Sequence, residues 1–195
     1  MPRAVILGNS GHARVIASFL ACEPVFVTTE PAGEDLVLSR LLAEDPDADY
    51  YVGIGSNADR LRIAGKIRAL GGRLPACVAP NVFVARDAAI GDGTVICSGS
   101  SIGSRAVIGF GCIVNTLSSV DHDCRLGDFS QMTAGVTFGG SVVVGVRSFF
   151  GVKSAVVPNL TIGDDVVVMA GALVTADLPD RVMAGGNPAR IVCRL

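Results

Sequence analysis

The chain has 195 residues, half of them hydrophobic, and a net charge of −2. That content excludes disorder, and the even spread of charge excludes a nucleic-acid or lipid-surface patch. No apolar stretch approaches the roughly 18 residues of a membrane helix, so neither nucleic acid nor membrane is an expected partner.

The first seventy-odd residues alternate short apolar runs with helical stretches. Val5-Ile6-Leu7 reads as a buried strand, Gly8-Asn9-Ser10-Gly11-His12 as a turn, and Ala13 to Leu20 as a helix. Val25-Phe26-Val27 predicts a second strand, Leu36 to Leu42 a helix, and Tyr50 to Ile54 a third strand. Asn57 is the expected N-cap of a helix over Ala58 to Leu70, and Gly71-Gly72 its stop. Strands alternating with helices indicate a small parallel α/β unit over residues 1–75. Its opening apolar run is too short for a signal peptide.

From Val78 a period of six takes over. Seventeen hexads run without insertion over residues 78–179, and every one begins with an apolar residue, from Val78, Val84 and Ile90 to Val168 and Val174. The fifth position is compact, as at Thr94, Ser100, Cys112, Ser118 and Cys124. Gly often follows the lead residue, as at Gly103, Gly127 and Gly139. A helix repeats every 3.6 residues and a half-buried strand every 2, so neither carries this pattern as a long element. A parallel β-helix does, each coil burying its leads on the coil beneath. The repeat spans a domain of residues 76–180. Residues 181–195 read as a cap, with Met183 to Arg190 as turn and Ile191-Val192 as a short strand, because an open coil end exposes unpaired strand edges.

The six cysteines form no C-x-x-C pair. They read as small buried thiols in a reducing, cytoplasmic setting.

Two histidines make the search for a neutral-pH base short. His122 stands in Ser119-Val120-Asp121-His122-Asp123-Cys124, at the third hexad position between two carboxylates. Such neighbours stabilise an imidazolium and orient one ring nitrogen, leaving the other free. A base and an exposed coil-corner residue both fit that placement. His12 follows a strand-to-helix turn that aims N–H groups at whatever lies above it, which suits a phosphate. It is not a dinucleotide fingerprint, since positions 8, 10 and 13 are Gly, Ser and Ala. Lys153, Arg147, Arg181, Arg190 and Arg194 are candidates for a polyphosphate contact, and each alone fits a solvated surface charge. A zinc enzyme on the same repeat would need several histidines, and the repeat holds one, so no metal is expected.

With these motifs the chain resembles the hexapeptide-repeat acyltransferases, whose repeat forms a left-handed parallel β-helix. The pairing of Gly8-Asn9-Ser10-Gly11-His12 with Ser119 to Cys124 is similar to bacterial sugar acyltransferases of the sialic-acid O-acetyltransferase NeuD family, nearest the nucleotide-amino-sugar N-acetyltransferases. The resemblance implies a Rossmann-like first domain, acetyl-CoA as co-substrate, a nucleotide-sugar acceptor and a cytoplasmic homotrimer with sites between chains. It implies that His122 is the base and that Asp123, where a Glu often stands, assists it. Gly140 would offer its N–H to the thioester, and Val152 and Ala170 would hold the pantetheine arm. Lys153 is grouped with this coenzyme set, and Gln131 replaces a histidine that donates to the acetyl group in some relatives. Gly8, Asn9, Ser10, Gly11 and His12, with Gly55, Asn57 and Arg60, match the nucleotide-sugar loops. Thr28-Thr29 stand where some relatives carry an Asp pair that reads the nucleotide. Three readings follow: acetyl transfer to the amine of a nucleotide-linked amino sugar, acetyl transfer to a sugar hydroxyl such as that of a sialic acid, or a non-catalytic nucleotide-sugar-binding protein.

Overall fold

In the computed structural model of the chain, residues 2–28 and 33–195 are described. Thr29, half of the Thr28-Thr29 departure, lies outside them. Contacts divide the chain into two units, residues up to 77 and residues 78–195.

The first unit is built on a three-stranded parallel sheet. Strand β1 (Ala4–Leu7) is central, between β2 (Val25–Val27) and β3 (Asp49–Val52). All four residues of β1 are buried, as an uninterrupted apolar run predicts. Helix α1 (Gly11–Ala17) begins two residues earlier than the composition suggests, because Ser10 caps it. The Ser10 hydroxyl accepts from the backbone N–H groups of His12 and Ala13. Helix α2 spans Glu34–Glu44 and α3 spans Asn57–Ala69. The cap of α3 is Ser56, not Asn57: Ser56 has extended dihedrals and its Oγ accepts from Asp59 N–H at 3.3 Å. The buried Glu34 carboxylate joins the two helices by pairing with Arg62 and Lys66. No helix among the described residues is long and apolar enough to cross a membrane.

The second unit is a parallel β-helix. Each hexad contributes a two-residue strand, and strands eighteen residues apart pair in register, as Ser101↔Ser119↔Thr137 and Ile102↔Val120↔Phe138 do. Three sheets result, so one coil is three hexads. The lead side chains point inward and are buried from Ile96 onward. Each such aliphatic or aromatic side chain contributes about 1.5–3 kcal/mol by leaving water. The first coil departs from the expected pattern. Val78 is 37% exposed, and Val84 and Ile90 are half-buried, because that coil has a neighbouring coil on one side only.

Between strands the chain turns a corner in two residues, and from Gly93 onward the second of these has positive φ: Arg105 at 57°, Asp123 at 62°, Lys153 at 56°. Coils stack tightly there. A Cβ at Gly127 would lie 2.5 Å from the Gly145 backbone, which explains a glycine after the lead residue. The compact fifth position closes the corners with hydrogen bonds. Hydroxyls of Thr94, Ser118 and Ser130 donate to the carbonyls of Gly109, Thr133 and Gly145 at 2.7–2.9 Å. The thiols of Cys112 and Cys124 do the same for Gly127 and Gly139 at 3.2 and 3.1 Å. Four cysteines are therefore the buried thiols expected, but Cys22 is half-buried and Cys193 exposed.

The C-terminal segment differs from its sequence reading. Val182–Gly186 is a strand pairing in parallel with Val167–Val168, not a turn, and Ala189–Arg194 folds back antiparallel on it. Only Asn187 and Pro188 turn. This hairpin continues the largest sheet by two strands.

Candidate active site

His122 sits at the corner that follows strand Ser119–Val120. The corner is bonded on both sides. Asp123 N–H donates to Ser104 carbonyl at 2.9 Å in the coil below, and Ser141 N–H donates to His122 carbonyl at 2.8 Å from the coil above. Asp121 accepts the His122 backbone N–H at 2.7 Å. The imidazole itself stands out, with its side chain 57% exposed.

His122 Nδ1 lies 2.8 Å from Asp123 Oδ2. The shorter Asp therefore reaches the ring. The same carboxylate accepts a fork from Arg105, Nε to Oδ1 at 2.6 Å and Nη2 to Oδ2 at 2.8 Å. Arg105, and after it His122, hold the Asp123 carboxyl at about 2, well below the usual carboxylate range. A carboxylate that stays ionised only accepts, so neutral His122 donates from Nδ1 and keeps the Nε2 lone pair free.

Gly140 is stacked on that free edge. A Cβ built on it would lie 2.6 Å from both Cε1 and Nε2 of His122. The Gly140 N–H has no hydrogen-bond partner among the described residues. A base lone pair and an open N–H thus share one corner. This is the arrangement needed to take a proton from a nucleophile while an N–H stabilises an oxyanion.

The other coenzyme candidates lie elsewhere on the coil. Val152 and Ala170 are exposed, stacked on one another's coil, at the corner after Phe149–Phe150 and Val167–Val168. Lys153 is exposed beside Val152. Gln131 is buried at 8% exposure in the sheet leading to that same corner, and its Oε1 has no partner among the described residues. Nine residues are half of an eighteen-residue coil, so within one chain Gln131 lies away from the His122 corner. Arg147 is bound to Asp165 by a second fork at 2.7 and 2.6 Å.

In the first unit, the two expected loops follow adjacent parallel strands at their carboxyl ends, the usual ligand position of open α/β sheets. The Ser10 hydroxyl joins them by donating to Gly53 carbonyl at 2.8 Å. Gly8 has φ of 103°, a left-handed conformation that favours glycine. Asn9 is exposed, and Gly11 and Gly55 have open space where a side chain would stand. Arg60 is 1% exposed, and its guanidinium braces the loop by donating to the carbonyls of Ile54 and Gly55 and to Asn57 Oδ1. Burial, and then the Arg60 charge, push His12 down to about 4, and its Nε2 has no partner among the described residues. His12 is therefore neutral at pH 7.

Sequence reasoning missed Arg105 and Ser56. Arg105 had a signal: it and Asp123 hold the same hexad position one coil apart. Among the described residues no group of His, Cys, Asp or Glu could hold a metal ion.

A coiled stack of hexads with a histidine–carboxylate pair at one corner defines the class, the hexapeptide-repeat acyltransferases. No family model matches the chain. Solved structures do. A mutant of perosamine N-acetyltransferase from Caulobacter crescentus, in complex with CoA and GDP-perosamine, is 36% identical, with a TM-score of 0.92 over 99% of this chain and 98% of that one. The acetyltransferase domain of PglB from Neisseria gonorrhoeae, in complex with acetyl coenzyme A, is 29% identical, with a TM-score of 0.88 over 97% and 98%. WeeI from Acinetobacter baumannii, at 21% identity and a TM-score of 0.86, shares the fold. The chain belongs to the sugar N-acetyltransferases of the hexapeptide, left-handed β-helix class.

Proposed function

We propose that this protein transfers the acetyl group of acetyl-CoA to the amine of a nucleotide-linked amino sugar. The observation that carries this reading is the His122 corner, where an Asp-oriented imidazole leaves Nε2 free beside the open Gly140 N–H. The neutral amine attacks the thioester carbonyl, and the carbonyl oxygen becomes an oxyanion facing the Gly140 N–H. His122 Nε2 takes the proton that the attacking nitrogen sheds. The carbon–sulfur bond then breaks, and the coenzyme leaves as its thiol with that proton. The products are the N-acetyl sugar and CoA.

The first unit, Rossmann-like in this reading, holds the nucleotide-sugar through Gly8 to His12, Gly55 and Asn57. Arg60 serves by bracing the second loop, and neutral His12 offers a ring nitrogen without a charge. GDP-perosamine, bound by the Caulobacter protein, is the first acceptor to test.

Val152 and Ala170 share a corner that is not the corner of His122, so one ligand touching both sets needs a second chain. That separation supports a homotrimer with sites between neighbours, in which Gln131 and Lys153 would serve the coenzyme from the adjoining subunit. Light scattering showing a monomer at micromolar concentration would remove this part of the reading.

The finer kinship with the sialic-acid O-acetyltransferases rests on the same two motifs. The deciding experiment is mass spectrometry of a panel of nucleotide-linked amino sugars and free sialic acid incubated with acetyl-CoA. A gain of one acetyl on the amine of a nucleotide-sugar supports the proposal. Acetylation of a hydroxyl alone, or of nothing in the panel, overturns it.

A further inference from the structure

The Arg105 fork on Asp123 has a twin. Arg147 grips Asp165 with the same two nitrogens, on the same hexad position, eighteen residues apart. Both pairs span one coil, and in both the backbone is left-handed at each partner, from 54° to 62°. The fork is thus a way of stitching neighbouring coils. The two differ in what the carboxylate does next. Asp165 Oδ2 ends at Arg147, whereas Asp123 Oδ2 also meets His122 Nδ1 at 2.8 Å.

That shared oxygen links the guanidinium to the imidazole. A planar fork fixes a carboxylate in orientation as well as position, which a point charge does not. An aspartate is one methylene shorter than a glutamate and must be held at the right angle to reach Nδ1. Backbone bonding fixes the corner itself, with Asp123 N–H on Ser104 carbonyl at 2.9 Å. The side-chain angle is left to Arg105. Its charge also matters. An unpaired carboxylate against Nδ1 stabilises imidazolium and so holds the proton that the base must lose. A carboxylate already neutralised by a guanidinium does so less.

The groups facing His122 are few. On its own corner stand Asp121 and Asp123, while the Cys124 thiol is buried and donates to the Gly139 carbonyl. In the coil below stands Arg105, and one coil further down Asp87 accepts from Ser104. In the coil above, Gly140 and Ser141 carry no charge. Arg105 is the one cation among them.

We infer that Arg105 is a positioning residue of the acetyl transfer, setting the angle at which the Asp123 carboxylate meets His122 Nδ1. The inference rests on the reading of His122 as base. Its effect passes through Asp123 and needs no contact with either substrate.

The test compares wild type, Arg105→Ala, Arg105→Lys and His122→Ala, with Arg147→Ala to measure what loss of an equal fork does to melting temperature alone. For Arg105→Ala, kcat should fall about 3- to 30-fold, with little change in KM for acetyl-CoA or acceptor. The ascending limb of kcat/KM should move up by roughly half to one pH unit. Arg105→Lys should return the limb most of the way and kcat only in part, since it restores the charge without the fork. NMR titration of the His122 ring, in a His12→Gln background that leaves one histidine, should show the same upward move in Arg105→Ala. If His122→Ala abolishes turnover while Arg105→Ala leaves limb and ring titration in place, the inference is overturned and the base reading stands. If Arg105→Ala loses melting temperature as Arg147→Ala does, with no move of the limb, the fork is only a stitch and the inference also fails. If His122→Ala keeps its turnover, the base reading itself falls.

Discussion

Gly140 lies flat against the outer edge of the His122 ring, so close that a methyl group on its Cα would come within 2.6 Å of Cε1 and Nε2. Its φ is not in the left-handed region, so the backbone would accept alanine. The obstacle is the ring, which is 57% exposed and can give way toward solvent by breaking its bond to Asp123. Gly140→Ala should therefore leave melting temperature almost unchanged and displace the base. Since misplacing a reacting group by about 1 Å can cost about 10²-fold, kcat should fall by about that factor. A variant with normal kcat would show that Nε2 has no place in the reaction.

Removing the base should act on turnover and not on binding. His122→Ala should lower kcat by about 10²- to 10⁴-fold with dissociation constants for both ligands little changed. Asp123→Asn should cost less, because it orients the ring and takes no proton from the substrate. Steady-state kinetics with calorimetric binding separates these effects.

Gly11 opens helix α1, and no atom lies within 4 Å of where its side chain would stand. Gly11→Val should thus fold normally. If the loop receives the nucleotide-sugar, the new side chain obstructs that approach and the acceptor KM rises while acetyl-CoA binding is untouched. A fall in acetyl-CoA affinity instead would assign this loop to the other ligand.

His12 predicts a pH dependence of stability. Its folded-state value, about 4, lies below its ordinary 6.5. The unfolded chain therefore binds more protons between these values, and stability falls as pH drops from 6.5 toward 4, with no further loss from this group below that. The ceiling is about 3 kcal/mol. His12→Gln should flatten this slope in urea unfolding measured at about pH 7 and about pH 4.5. An unchanged slope would mean that the ring is solvated in the folded protein.

Ile102 tests the coil core, where it is fully buried between Val84 and Val120 on adjoining coils. Ile102→Val should cost about 0.5–1.5 kcal/mol. Ile102→Asp would bury an unpaired charge and should cost on the order of 3 kcal/mol or more. Chemical denaturation reads both.

The period of six was enough to define a β-helix, its inward leads from Ile96 onward and the corner position of His122. This follows because each hexad repeats the same local events: a strand pair, a buried lead, a left-handed corner. The alternation of strands and helices before residue 75 was legible for the same reason, since it rests on composition within short windows. What the sequence did not show is which corners meet. Gly140 over His122, Arg105 under Asp123, and Gln131 half a coil away all depend on stacking at a spacing of eighteen, where contact is made between residues far apart in the chain. The pairing of the closing hairpin with Val167–Val168 was likewise decided by tertiary contact, whereas the Ser56 cap and the Arg60 brace are local contacts within a few residues. Where hydrogen bonds join such distant residues, as from Arg105 to Asp123, the partners are ones that only the folded chain supplies.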